Sequence, residues 1–190
     1  GGYIQAVPLV SAQATAKGSL TIERAGKATA LNFGDDYLPA TSLKDAKVDL
    51  TAPLVFAGFG VVAAGFGRDD YAGLDVKGKI VVLLAGAPKA IPGEERAHYG
   101  NGTTKAIEAE KRGAIGVITV ETPTRATVVP FARAAKRWDD KHMVWRQPDG
   151  SGYSAAPNAP GLAYVSMKGA EALFAGVKGG AKAVFAAAEK

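Results

Sequence analysis

A chain of 190 residues is long enough for one well-buried domain, and 47% hydrophobic with 22% charged residues is ordinary for a globular fold. The absence of cysteine excludes disulfides, thiolate catalysis and cysteine-based zinc sites. No run approaches the roughly 20 apolar residues of a membrane-spanning helix, so we expect no membrane partner.

The N-terminal half is predicted to consist mainly of short strands, because its apolar, β-branched runs are bounded by glycine, proline or polar turns. A turn at 25–27 is expected to join two of these strands, and 34–39 is predicted as a loop. Those at 54–59 and 79–84 have the composition of buried strands. The full set of predicted strands is 3–10, 20–24, 28–33, 47–51, 54–59 and 79–84.

The C-terminal half is predicted to alternate helices with strands. After a loop at 87–102, Thr103 or Thr104 is expected to cap a helix that ends near Arg112, with Gly113 as its stop. The strand that follows, 115–120, is expected to lie parallel to the strand before the helix. The remaining predictions are helices at 129–139, 167–175 and 181–189, an irregular segment at 143–160, and a strand at 162–165.

A glycine-rich segment between the two buried strands allows two interpretations. Residues 58–63 fit the dinucleotide-binding pattern G-x-G-x-x-G/A, which requires a helix to open at the glycine turn. Gly65 and Gly67 follow at once and disfavour that helix. The preferred interpretation is structural, with the glycines forming turns and with Asp69, Asp70 and Tyr71 in a loop that covers the sheet.

The order VFAGFGVVA, DDYAGLDVKGKIVVLLAG and KRGAIGVITV resembles the protease-associated (PA) domain, as inserted in bacterial zinc aminopeptidases of the aminopeptidase Y and glutamate carboxypeptidase type. The resemblance is clearest over residues 50–120. The residues that carry it are Gly58, Gly60, Asp70, Tyr71, Leu74, Val76, Gly78, Lys79, Ile80, Val81, Ala106, Ala109, Gly113, Ala114, Gly116 and Val117.

The resemblance implies an α+β fold of the swivelling β/β/α type, a strand-rich, barrel-like core flanked by helices, filling 1–190 as one domain. Residues 1–10 would include a linker from a neighbouring catalytic domain. It further implies a periplasmic or secreted peptidase whose zinc is held in that catalytic domain. The partners expected from it are the catalytic domain and peptide substrates.

No catalytic residue, metal ligand or cofactor is expected in this chain itself. Neither His98 nor His142 lies in the His-x-Asp pattern that such zinc peptidases use. Glu94 and Glu95 resemble their glutamate pair but lie in a predicted loop rather than after a strand of a catalytic domain. Glu95 and His98 together offer only two ligands, and no serine lies in a G-x-S-x-G pattern.

Basic residues are concentrated between Arg125 and Arg146, where six of them oppose only two acidic residues. Trp138 and Trp145 would supply stacking for nucleic acid, but a solvated helix face or a contact with a neighbouring domain explains the same pattern. We favour the domain contact and expect no nucleic-acid partner. A stand-alone peptide- or anion-binding module using 125–146 is the alternative function. The candidate contact surface comprises Tyr71, Arg137, Trp138, Trp145 and Arg146. For Tyr71 a packed aromatic is the favoured alternative, and for the two tryptophans burial is as good an interpretation as contact.

Overall fold

The computed structural model describes residues 2–189, so Gly1 and Lys190 of the predicted domain lie outside it. A five-stranded sheet forms the centre of the molecule. The strands, in spatial order, are β4 (Tyr37–Pro39), β11 (Gly161–Val165), β9 (Gly116–Val120), β8 (Ile80–Leu84) and β5 (Leu54–Phe56). Strands β11, β9, β8 and β5 run parallel, and β4 pairs antiparallel with β11 at one edge.

Three two-stranded sheets surround this centre, and two of them are local hairpins. Strands β2 (Thr21–Arg24) and β3 (Lys27–Ala30) are joined by Ala25 and Gly26, which take φ values of +49° and +76°. Positive φ at both central residues is the hairpin geometry that matches strand twist. The other pairs are β6 (Val62–Ala63) with β7 (Arg68–Asp69), and β1 (Leu9–Ala12) with β10 (His142–Trp145).

Two hydrophobic clusters lie on opposite faces of the central sheet, because successive side chains of a strand point to opposite sides. On one face, Val81, Leu83 and Val117 pack with Ala109 of helix α2 (Gly102–Lys111). On the other, Val82 and its neighbours pack against the C-terminal helices. The remaining helices are α1 (Gly93–Gly100), α3 (Pro123–Val128), α4 (Phe131–Ala135), α5 (Ala170–Leu173) and α6 (Gly180–Ala188).

The predicted α+β class, with a strand-rich core flanked by helices, is confirmed. Strands β8, β9 and β11 and helix α2 form close to their predicted bounds, and β9 lies parallel to β8 as expected. Gly113 ends the α2 region at φ +81°, a conformation that glycine adopts without strain. The cap of α2 is Asn101 rather than a threonine, because its side chain accepts from the N–H groups of Thr103 and Thr104.

Several boundaries were wrong because pairing overrode local sequence. The predicted loops 34–39 and 87–102 contain β4 and α1, and β10 extends into the predicted irregular segment 143–160. Conversely, no strand forms at 47–51, and the predicted strand 3–10 becomes regular only at Leu9, where β10 pairs with it.

Two further predictions needed correction. Strand β5 was predicted to be buried, but it is an edge strand whose Leu54 and Phe56 side chains are partly exposed. The helix predicted at 129–139 is shorter than expected, because only α4 (Phe131–Ala135) forms in that range. Pro130 separates α3 from α4, since proline disfavours helical geometry at the residue before it.

Candidate contact surface

The sheet formed by β1 and β10 has one apolar face turned outward. Leu9 lies opposite Trp145 and Ser11 opposite Met143, so these side chains share a face of the ribbon. Leu9 is 46%, Met143 65% and Trp145 67% exposed. Tyr153, which is 51% exposed, donates its N–H to the Trp145 carbonyl at 2.8 Å and lies with its ring centroid 6.4 Å from that of Trp145. We call Leu9, Met143, Trp145 and Tyr153 the ribbon patch.

The opposite face of this ribbon attaches it to the domain. Val10 lies opposite Val144, and both side chains are half-buried. A Cβ added to Gly152 would lie 2.9 Å from Val144 Cγ2 and 3.0 Å from the Leu43 carbonyl oxygen, so backbone and side chains are tightly packed there. The ribbon patch is therefore held on a fixed support rather than on a loose strand.

The predicted contact residues on the basic segment fall into different environments. Arg146 is exposed and extends the ribbon, donating its N–H to the Pro8 carbonyl at 3.0 Å. Arg137 is also exposed, but its guanidinium is engaged with Asp140 at 2.6 Å. Trp138 is half-buried and packs edge-to-face on Phe33 with centroids 5.0 Å apart. Trp145 and Arg146 are therefore neighbours at the end of the ribbon with side chains on opposite faces, whereas Trp138 anchors the segment to the body.

Tyr71 is a core residue, and its predicted place on a contact surface is wrong. Its side chain belongs to the buried cluster of β8 and α2 and is 3% exposed. The Arg112 guanidinium lies over its ring, 4.7 Å from the centroid. Burial raises the pKa of the Tyr71 hydroxyl to about 12. The aromatic ring thus fills the space between the sheet and the glycine-rich loop that begins at Gly58, which we call the signature loop, and it is not presented to a partner.

The glycine-rich segment is a structural loop and not a phosphate site. After Gly58 (φ +54°) and Gly60 (φ +66°) the chain enters β6 and pairs back with β7, so the helix that a dinucleotide site requires does not form. Asp70 holds the loop closed. Its Oδ2 accepts the Val61 N–H at 3.0 Å, and its Oδ1 lies 2.7 Å from Arg68 Nε.

A buried lysine on α2, which no motif in the sequence marks, places its ammonium group at the end of β8. Lys105 is 3% exposed, and its ammonium donates to the Leu84 carbonyl at 2.8 Å and to the Gly86 carbonyl. It lies over the Phe59 ring at 5.7 Å. Burial lowers the pKa of Lys105 to about 7, against the opposing effect of Asp70. The signal was present in the sequence, because Lys105 precedes Ala109 by four residues and so shares the buried side of α2.

Beside Lys105, a cleft of about 440 Å³ opens between α2 and the α3–α4 segment. Its floor is formed by side chains of β8, β9 and β11, and Arg125 lines its far side. Burial raises the pKa of Tyr164 to about 12. We call this the strand-end cleft. The residues that matter for its chemistry are Leu83, Lys105, Val117, Thr119, Arg125 and Tyr164.

The family model of the PA domain matches residues 50–173, which is more than half of the chain. The chain belongs to the PA domain family. The match reaches beyond the 50–120 core of the sequence resemblance and includes β10 but not β1. No curated protein matches this chain.

Among solved structures, an aminopeptidase from Aneurinibacillus sp. strain AM-1 is similar, with 19% identity and a TM-score of 0.44. That match covers 92% of this chain and 31% of the aminopeptidase, so this chain spans less than a third of the length of that protein. No helix of residues 2–189 combines the length and apolarity needed to cross a membrane.

The PA domain's histidines lie on separate elements. His98 is on α1, one turn from Glu95 and beside the Tyr99 ring at 5.0 Å, whereas His142 is on β10 opposite Ala12. Within residues 2–189, no three histidine, cysteine or acidic side chains form a group able to hold a metal ion.

Proposed function

We propose that this PA domain is the non-catalytic accessory domain of a periplasmic or secreted zinc-dependent exopeptidase, an aminopeptidase. In that enzyme it borders the active-site cleft, restricts the access of peptide substrates and contacts the catalytic domain of the same gene product. The zinc and the hydrolytic residues belong to that catalytic domain, where two metal ions would activate water. Membership of the PA family supports the accessory role, and the ribbon patch supports the contact.

The ribbon patch is the observation that carries the proposed contact. Its Trp145, Met143 and Tyr153 are residue types enriched in protein interfaces, and each is more than half exposed. Single exposed apolar residues are common, but adjacent ones on a supported sheet face mark an interaction surface. Val7, which precedes β1 and is 54% exposed, continues the apolar surface along the chain that enters the ribbon.

The catalytic domain is the occupant that this surface fits best. The side chains of the patch are apolar or aromatic, so the partner surface should present an apolar depression. Arginine and tryptophan at the centre of an interface contribute most of its binding energy. The patch is too small for a strong free association, which suits a partner tethered in the same chain at high effective concentration.

The first test is enzymatic and genetic. The 190-residue chain with added zinc should not hydrolyse aminoacyl-nitroanilides, and metal-dependent turnover that a chelator abolishes would refute the accessory role. The gene that encodes this segment should also encode a peptidase domain with a His-x-Asp strand and a Glu-Glu pair. A gene without such a domain would contradict the proposal independently of any binding measurement.

The second test uses the fact that the chain has only two tryptophans. Trp138→Phe keeps an aromatic ring against Phe33 and leaves Trp145 as the only tryptophan of the chain. Acrylamide should quench Trp145 freely in the isolated domain and weakly when the separately produced peptidase domain is added in large excess. Trp145→Ala in the complete enzyme should raise the KM for long peptides more than for aminoacyl-nitroanilides. Val128→Ala, at an exposed apolar position on α3, is the matched control.

The alternative function is a self-sufficient peptide- or anion-binding module using the basic segment 125–146. The exposed Arg146 favours it, because its guanidinium would pair with an acidic peptide. Titration with such a peptide at two salt concentrations separates the two functions. Tight binding that weakens strongly with salt supports the module, and absent binding leaves the accessory domain.

A further inference from the structure

The ammonium of Lys105 lacks a carboxylate partner. Among the ion pairs formed by residues 2–189, none includes Lys105, although the residue is 3% exposed. The carbonyls of Leu84 and Gly86 take two of its three hydrogens. A buried cation is unfavourable unless it is paired as well as hydrogen-bonded. The third donor and the missing counter-ion therefore call for an explanation.

The strand-end cleft supplies the space in which a counter-ion would lie. Lys105 lines one side of it and Arg125 the other, while Thr119 and Tyr164 contribute hydroxyl groups. Its volume of about 440 Å³ lies within the range of small-ligand pockets. The nearby acid, Glu121, is 3% exposed and accepts the Phe131 N–H at 2.7 Å through Oε1. Glu121 therefore holds the first residue of α4 by a hydrogen bond and forms no ion pair with Lys105 among residues 2–189.

The non-polar part of the cleft restricts what kind of anion fits. Val129 and Ala134 line the cleft and are half-buried, and Tyr164 stacks on Phe131 at 5.7 Å, which fixes the plane of its ring. A fully hydrated ion such as phosphate would leave these surfaces uncovered. A ligand with an apolar body would cover them and would replace water there favourably.

We propose that the strand-end cleft binds a small carboxylate with an apolar body. The carboxylate lies between Lys105 and Arg125, and the body covers Val129 and Ala134 beside the Tyr164 ring. The buried ammonium of Lys105 donates a hydrogen bond to one oxygen of the carboxylate. The guanidinium of Arg125, which is exposed at the rim of the cleft, donates to the second oxygen. The ligand thereby provides a direct ionic partner, since within residues 2–189 Asp70 acts on Lys105 only from beyond ion-pair distance.

The test is a titration of the complete 190-residue chain, followed by amide shifts in nitrogen–proton spectra. The probes are benzoate, its neutral isostere benzamide, and inorganic phosphate. We expect benzoate to give saturable shifts at Gly86 and Thr119, and benzamide and phosphate to give none. Failure of benzoate to saturate by about 10 mM, or shifts confined to other residues, overturns the proposal. Equal binding of phosphate overturns the carboxylate assignment.

Two variants locate the binding. Arg125→Gln, at an exposed position, should weaken benzoate binding by about fivefold, because it removes one charge-assisted hydrogen bond. Arg133→Gln, an exposed arginine of the same basic segment outside the cleft, should leave it unchanged. Lys105→Met should abolish binding, and if that variant does not fold, Arg125→Gln decides alone. Equal effects of the two arginine variants would show non-specific attraction and refute the site.

Discussion

Gly60 is the position at which a single methyl group should reveal how the signature loop is built. Its φ of +66° is a left-handed conformation, and a Cβ there would lie 2.7 Å from Leu83 Cδ2 and 2.9 Å from Cδ1. Real Cβ atoms do not approach carbon so closely, so Leu83 or the loop must move. Leu83 has 0% exposure and belongs to the buried cluster of Tyr71 and β8, which leaves it little room.

The expected cost of Gly60→Ala has two parts. Placing alanine in a left-handed conformation costs about 1–2 kcal/mol. Overpacking a tight core site costs about 1–3 kcal/mol more. The sum, about 2–5 kcal/mol, is a large fraction of the stability of a typical domain, about 5–15 kcal/mol. Gly67→Ala is the matched control, because its φ is +61° and a Cβ there meets nothing within 4 Å.

Urea unfolding of both variants measures the difference. Gly60→Ala should lose about 1–3 kcal/mol more than Gly67→Ala, and this excess is the contact with Leu83. Leu83→Val removes both δ-carbons, so in that background the two glycine variants should cost nearly the same. Equal losses in the wild-type background would refute the close packing of the loop on β8. An undiminished excess in the Leu83→Val background would show that Leu83 is not the obstacle.

Two further predictions concern buried charges. Below the folded pKa of about 7, Lys105 is protonated in both the folded and the unfolded state. Between about pH 7 and pH 10.5 only the unfolded chain keeps this proton. The free energy of unfolding should therefore rise with pH in that window, by at most about 1.4 kcal/mol per pH unit. Urea unfolding from pH 6 to 9 should show this rise in the wild type relative to Lys105→Met, and parallel profiles would contradict it. Glu121→Ala should cost about 1–3 kcal/mol by leaving the Phe131 N–H unpaired, while Glu121→Gln keeps an acceptor and should cost clearly less. Equal losses of stability in Glu121→Ala and Glu121→Gln would show that the hydrogen bond to the Phe131 N–H does not stabilise the fold.

The elements that the sequence predicted well are those with a strong local signal. Strand β8 is a continuous run of buried branched residues, and the chain from α2 to β9 carries a helical pattern, a glycine stop and a second apolar run. The elements that it missed depend on partners distant in sequence. Strand β4 has the composition of a loop and becomes a strand by pairing with β11, more than 120 residues later.

The candidate site was only partly predictable for the same reason. Trp145 and Arg146 were singled out by residue type, but the apolar face exists because Leu9 pairs opposite Trp145, which lies 136 residues later in the chain. The sequence left Tyr71 open between packing and contact, because an aromatic residue in an acidic loop has no local mark of burial. Its position is set by Leu83 and by the Arg112 guanidinium above its ring.

The residues that identify the family and the residues that offer binding are therefore separate sets. Gly58, Gly60 and Asp70 satisfy the backbone requirements of the loop in this chain, so they serve its architecture. The exposed residues of the ribbon patch, and Arg125 at the rim of the strand-end cleft, can be substituted at little cost to folding. We therefore propose that specificity in this chain follows Trp145 and Arg125, while the loop stays unchanged.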